Sequence, residues 1–349
     1  MLAWAKQRLA APEVPADAFF VVLTARASAK ALERFLPKIE THEGAFFWAP
    51  GTLARAYDDW TLAGTGAVLQ IEESGADRFS RVQAAATRSF AAITEWSESG
   101  VIAPRIRLFG GASFHPSVRD PLWAPFGDAS FVLPRFLYGV RNDDAFFRFA
   151  FRRDELSSPN DLLAEIARME SGEDFQVIGD RQGASSNAPS NGEVDPAWRT
   201  LVTDALAAIR EKVFDKVVVA RRSSVSRSIS VPTSLQRLLR ENPESTTFAC
   251  VRNGSAFLGA SPERLIFVDG EHVITEALAG TIARGADDEA AKRALFTSDK
   301  DRREHQIVVD GITAAISPFS SGIDVAQTPT VRTLGRVHHL ATSIVGRLD

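Results

Sequence analysis

Between Asp17 and about Ala150 the chain is a succession of short apolar runs separated by Gly, Pro and Asp, and this punctuation restricts the fold more than any other feature. Phe19–Leu23, Ala45–Ala49, Ala67–Ile71, Ile106–Phe109, Ser130–Leu137 and Ala145–Phe151 read as antiparallel strands, several of them alternating in and out. Two stretches carry a helical period instead. Ala76–Ser97 places Phe79, Val82, Phe90 and Ile93 at apolar positions, and Asn160–Glu170 gathers Leu162, Leu163, Ile166 and Met169 on one side. Composition then shifts at Gly179–Glu193, GDRQGASSNAPSNGE, which is polar, rich in Gly, Ser and Asn, and without period. It reads as a linker. The expected organisation is an N-terminal half over 1–178, a linker over 179–193 and a C-terminal half over 194–349.

The second half opens on Asp195-Pro196, a cap followed by proline at the first helical position, and Trp198, Leu201, Val202, Ala205, Leu206 and Ile209 continue a helical stripe to Arg210. Strands are expected at Phe214–Arg221, Thr246–Arg252, Phe257–Leu258, Arg264–Val268, His272–Glu276 and Val331–Leu340, and helices near Pro232–Arg240, Ala286–Phe296 and Ser298–Ser317. Asp269-Gly270 joins two of the strands as a hairpin. Strands in clusters interrupted by helices, without βαβ alternation, predict an α+β architecture of layered mixed or antiparallel sheets flanked by helices.

A length of 349 residues allows one large or two ordinary domains, and 45% apolar with 24% charged residues is the balance of a globular protein. A net charge of −4 offers no basic footprint for nucleic acid. The single cysteine, Cys250, excludes an internal disulfide and sits among Phe248, Ala249 and Val251 as a buried strand thiol. The N-terminal stretch has no secretory apolar core, and no window approaches the roughly 20 apolar residues of a membrane span. A cytoplasmic protein with no membrane partner is expected.

Phe296–Asp310, FTSDKDRREHQIVVD, puts charge where a helix should be apolar. Ser298 and Asp301 are spaced as a capping box, and Val308, Ile312 and Ala315 or Ile316 mark the inward face. Counting back along that face reaches Glu304 and Asp301. A helix N-terminus helps an anion by up to about 1 kcal/mol, whereas burying an unpaired carboxylate costs several times more. Something positive should therefore face Glu304, and a hard cation is the natural candidate.

Other residues carry two readings each. Lys216 in FDKVVVAR shares a predicted strand face with Phe214, Val218 and Ala220, where lost solvation would move its pKa toward that of a general base; it also reads as an edge lysine reaching water. Glu263, in FLGASPERL, lies on a corner set by Gly259 and Pro262 and would serve as a general acid if desolvated, or as a surface partner of Arg264. Ala279-Gly280-Thr281 follows a strand and would let backbone N–H groups approach an anion, with the Thr281 hydroxyl beside them, or is a plain turn. His339 in RVHHLAT could hydrogen-bond a substrate or serve the structure. Walker, G-x-G-x-x-G, H-E-x-x-H and G-x-S-x-G motifs are absent, which argues against nucleotide hydrolysis, zinc hydrolysis and the commonest serine hydrolases.

Taken in order, FDKVVVAR, FLGASPERL, TEALAGTIARG, SDKDRREHQIVVD and VHHLAT resemble the chorismate-utilising enzymes, and LFGGASFHP and ASFVLPRFLY look like that family's first half. Within the family the chain is most similar to isochorismate synthases of menaquinone and siderophore pathways. Lys216 on the strand motif and Ala279 before Gly280 set it apart from anthranilate and aminodeoxychorismate synthases and favour water over ammonia as nucleophile.

The resemblance implies the chorismate-utilising fold and the Mg²⁺-dependent isomerisation of chorismate to isochorismate. In it Lys216 activates water for attack at C2, and Glu263 protonates the departing C4 hydroxyl. Gly280, Thr281 and His339 contact substrate, and Glu304, with Asp301 one turn back, holds Mg²⁺. Salicylate synthesis at the same site is the alternative reaction, and a non-catalytic binding module is the reading from another class. The family ordinarily continues beyond the histidine motif with a second metal carboxylate and an arginine, so the catalytic half is expected to be incomplete at its C-terminus. A monomer is expected, with a dimer as the alternative.

Overall fold

The computed structural model describes residues 1–29, 35–55, 59–116, 120–171, 195–224 and 229–349. Their helices are α1 (Leu2–Leu9), α2 (Lys38–Thr41), α3 (Arg78–Ala91), α4 (Pro159–Ser171), α5 (Pro196–Arg210), α6 (Val231–Glu241), α7 (Asp288–Thr297) and α8 (Asp299–Ile316). The chain forms two compact units, one of Met1–Val177 with Ile229–Pro262, the other of Ile178–Ser228 with Glu263–Asp349. Residues 229–262 thus pack in the first unit although they follow the expected linker in sequence; that linker, 179–193, lies outside the described residues.

The first unit is built on strands β1 (Phe20–Arg26), β2 (Phe46–Ala49), β3 (Thr61–Thr65), β4 (Leu69–Glu73), β5 (Ile93–Ser97), β6 (Phe109–Ala112), β7 (Ala129–Leu133), β8 (Phe136–Arg141), β9 (Asp144–Arg152), β10 (Thr246–Arg252) and β11 (Ser255–Ser261). Eight form one sheet in the order β11-β10-β2-β3-β8-β9-β1-β5, and β4-β7-β6 form a second. The large sheet is buried on both faces, which the period of two in its strands brings about. Val21, Leu23, Phe149 and Phe151 enter one core with Ile166 and Leu235 from the helices, while the intervening Val22 and Ala150 enter another with Leu133. Polar groups inside are paired: Arg148 donates to the Thr24 hydroxyl at 3.0 Å and to Glu95 at 3.1 Å.

Two expectations are corrected in this unit, and two elements were not expected. The helical pattern of Ala76–Ser97 stops at Ala91, and Ile93–Ser97 is instead an edge strand paired in parallel with β1, Phe20 facing Ile93. Ser130–Leu137 is two strands, β7 and β8. The short strand Thr61–Thr65 and the helix Leu2–Leu9 carry too little apolar pattern to be read locally.

The second unit holds β12 (Phe267–Asp269), β13 (His272–Ala283), β14 (Ser320–Val325), β15 (Thr330–Thr333) and β16 (Val337–Leu348), with β13 and β16 as its long antiparallel centre. Gly270 takes φ +59° in the turn that pairs Asp269 with His272, as the Asp-Gly signal predicts. Helix α8 lays Val309, with Val308 and Ile312, against Ala277 of β13 and Ile344 of β16. The predicted strand Phe214–Arg221 does not form: its backbone is irregular, and Val218 is 78% exposed rather than turned inward. The architecture is mixed α+β, as the element pattern predicts. No described helix is long and apolar enough to cross a membrane.

Candidate active site

Helix α8 begins where its sequence says it should. Ser298 at the N-cap accepts a hydrogen bond from the Asp301 amide at 3.2 Å, which satisfies one of the orphan donors of the first turn. From this start Asp301, Glu304, His305, Val308, Val309 and Ile312 fall on the partly or fully buried side. The stripe that the apolar residues mark below therefore carries two carboxylates and an imidazole above. The positive group facing Glu304 is Lys216, whose Nζ lies 3.7 Å from Glu304 Oε1. Lys216 reaches this position from an irregular segment and not from an apolar strand, and its side chain is partly buried there, at 22% exposed.

The opposite wall comes from the β13–β16 pair. Register shifts between Ala279 and Thr281, leaving Gly280 as a bulge residue at φ +75°. A Cβ at Gly280 would stand 3.2 Å from the Asp301 Cβ and 3.3 Å from its carbonyl oxygen, so the absence of a side chain is what lets this bulge lie against the first turn of α8. Past the bulge, Thr281 pairs with His339, and the Thr281 hydroxyl and His339 Nδ1 share a hydrogen bond of 2.9 Å. Glu263 is an exposed residue outside regular structure, on no strand as yet; β12 begins only at Phe267. Its charge nonetheless acts on His339.

The electrostatics tie these residues together. Burial pushes the His339 pKa below the ordinary imidazole range, partly offset by the Gly280 backbone and by the negative charge of Glu263, while Arg332 and His338 lower it further. His305, 3% exposed, is lowered first by burial and also by the charge of Lys216, against the Ala279 backbone. Its Nε2 and the Thr342 hydroxyl share a hydrogen bond of 2.7 Å. Both imidazoles are thus held toward their neutral forms. All seven residues expected from the sequence fall in the second unit: Lys216 meets Glu304, Gly280 meets Asp301, and Thr281 meets His339, which feels Glu263.

Sequence reasoning passed over His305, which sits four residues before Val309 on the same inward stripe and could have been found by extending it from that residue. It also passed over the Arg332–Glu276 ion pair, at 2.6 Å with both side chains about four-fifths buried, which joins β15 to β13 across β16. That pair depends on strand order, which no local pattern reveals.

Asp301 and Glu304 offer hard oxygen donors one turn apart, the donor chemistry Mg²⁺ selects, and Mg²⁺ is ordinarily held through one or two carboxylates with retained water and substrate oxygens. No group of three or more His, Cys, Asp or Glu able to hold a metal occurs among the described residues.

The family profile described as chorismate binding enzyme matches residues 13–349. The chain is 35% identical over 297 residues to the salicylate biosynthesis isochorismate synthase of Pseudomonas aeruginosa, which covers 81% of this chain and 60% of the relative. It is 32% identical over 251 residues to the isochorismate synthase MenF of Bacillus subtilis, covering 69% of this chain and 52% of the relative. The chain therefore spans about half to three-fifths of the length of these relatives. The solved structure of MenF, the menaquinone-specific isochorismate synthase from Escherichia coli, matches with a TM-score of 0.69 over 100% of this chain and 75% of that one. At 22% identity this likeness speaks for the fold alone.

Proposed function

The chain belongs to the chorismate-binding enzyme family, and from that membership we propose that it catalyses the isomerisation of chorismate to isochorismate. The observation that carries this reading is the convergence of Lys216, Glu304, Asp301, Gly280, Thr281 and His339 around the first turns of α8 in one unit. In the proposed reaction Lys216 takes a proton from water as the water oxygen bonds to C2, both ring double bonds shift by one position, and the C4–O bond breaks so that the hydroxyl leaves as water with a proton from Glu263. One water enters and one departs, so the product is an isomer of the substrate. The Lys216 Nζ lies 3.7 Å from Glu304, whose carboxylate would balance the charge on the base. The bulge at Gly280 offers backbone beside the helix N-terminus for a substrate carboxylate, and Thr281 with His339 offers a hydroxyl and a largely neutral imidazole for its polar groups. Glu304, with Asp301, is proposed to hold Mg²⁺, which when bound would neutralise charge on the ring carboxylate.

Incubating the purified chain with chorismate and Mg²⁺ and following products by chromatography tests this directly. Isochorismate should accumulate with Mg²⁺ and not in the presence of EDTA. Accumulation of salicylate with an equal amount of pyruvate would replace the reading by salicylate synthesis, and conversion undiminished by EDTA would overturn the metal assignment.

A further inference from the structure

The first unit contains a cavity of about 510 Å³ between β6, the turn that follows it, and the β10–β11 hairpin. Its volume lies within the roughly 300–1,000 Å³ of small-molecule sites. None of the residues assigned to the reaction lines it. One wall is aromatic: Trp123 and Phe257 meet edge to face with centroids 5.0 Å apart, and Phe126 lies 5.9 Å from Trp123 and 6.3 Å from Phe257. These rings pack against one another and are still partly exposed, Trp123 and Phe257 each by 43%. Another part of the lining is Arg252, which is only 3% exposed.

Arg252 is the unusual group. A guanidinium stays charged at any physiological pH and carries five donors. Its hydrogen bond among the described residues runs from Nη1 to the Val251 carbonyl at 2.8 Å, and no described carboxylate lies within ion-pair distance of it. The other buried arginines of this unit are better served: Arg148 has Glu95, and the Arg78 guanidinium donates to the carbonyls of Gly75, Ser113 and Phe114. Cys250, also in the lining, is no counter-ion, since burial pushes its thiol up and keeps it neutral. Asp120 lines the cavity too, where its carboxylate accepts from the Leu122 amide at 3.0 Å within its own turn. Gly111 adds open space, for a Cβ there would meet no atom within 4 Å.

A buried cation with no carboxylate in ion-pair distance among the described residues, lining an aromatic-walled cavity, is complementary to a ligand that pairs one carboxylate with a flat ring. We infer that this cavity is a binding site for a small aromatic monocarboxylate, its carboxylate on Arg252 and its ring among Trp123, Phe126 and Phe257. The inference does not rest on the reaction proposed above.

Benzoate is the probe, titrated calorimetrically into the intact protein, with benzyl alcohol and acetate as controls that lack the charge and the ring. Benzoate should bind at one site, at least about tenfold more tightly than either control, since a charge-assisted pair is worth a factor of that order. Arg252→Gln should weaken benzoate by a similar factor and leave benzyl alcohol unchanged. Because a buried arginine can be needed for folding, Phe257→Ala at the partly exposed wall is the second variant; it should weaken benzoate while circular dichroism and melting temperature stay near those of the parent. Lys216→Ala should leave benzoate affinity as it was. Equal affinity for benzoate and benzyl alcohol, no benzoate binding at millimolar concentration, or loss of binding in Lys216→Ala would each overturn the assignment.

Discussion

The two compact units spend their inward-facing positions differently. In the first, Phe47, Phe146, Phe149, Phe151 and Tyr138 are almost wholly buried, and the alternate residues of β1 and β9 feed separate cores on the two faces of one sheet. In the second, the apolar cluster under α8 is small, and the inward stripe of that helix is given to Asp301, Glu304 and His305 before it turns apolar at Val308. Leu265 is 90% exposed there. Apolar burial contributes about 25 cal/mol per Å², so a unit that turns charge inward forgoes stability to place chemical groups. The first unit is the scaffold by this measure, and the second holds the groups proposed to react.

Exchanging single residues can break this contrast. After Lys216, the largest effect is expected at Glu263: replacing the proposed acid by glutamine removes the transferable proton, and chorismate turnover should fall by at least about 10²-fold with the melting temperature little changed. In the scaffold, Phe149→Ala removes a ring stacked 5.0 Å from Phe136 and 5.5 Å from Phe151, and chemical denaturation should show a loss of about 3–5 kcal/mol. Gly280→Ala sharpens the comparison from the other side. It forces a side chain into the left-handed region and 3.2 Å from Asp301, so a loss of about 1–3 kcal/mol should come with a raised KM for chorismate.

The smallest effect is one of pH. His305 has its pKa depressed in the fold below the ordinary value of 6.5, so the unfolded chain binds a proton first as pH falls. Stability should therefore decline below about pH 6.5 and level off once pH has passed the folded value. His305→Gln should flatten that part of the curve, measured by denaturant midpoints across pH; an unchanged curve would remove His305 as its cause.

Local signals were legible where a local interaction forms the structure. Ser298 caps α8 and Asp195 caps α5, where it accepts from the Ala197 amide, and β10 occupies Thr246–Arg252 as its alternation indicates. The expectations that failed needed information from far along the chain. Ile93–Ser97 looked like a continuing helix because only its pairing with β1, more than 70 residues earlier in the chain by register, makes it a strand. Phe214–Arg221 has strand-forming residues, yet propensity alone does not order a strand, and Val217 and Val218 lie exposed. For the site, the misplaced carboxylate at Glu304 was visible as a burial problem, and the identity of its neighbour was the part that required coordinates: the cation at 3.7 Å is Lys216 itself. His305 lies on the line of the helix that runs through Val309, one residue over from the line through Glu304 and Val308.

The central claim is that the second unit carries the reaction through Lys216. Its most direct test is the rate of isochorismate formation from chorismate and Mg²⁺ by Lys216→Ala beside the parent chain, each checked for folding by its melting transition. The account predicts product from the parent and none above background from the folded variant. Product from the variant at the parent's rate would contradict it.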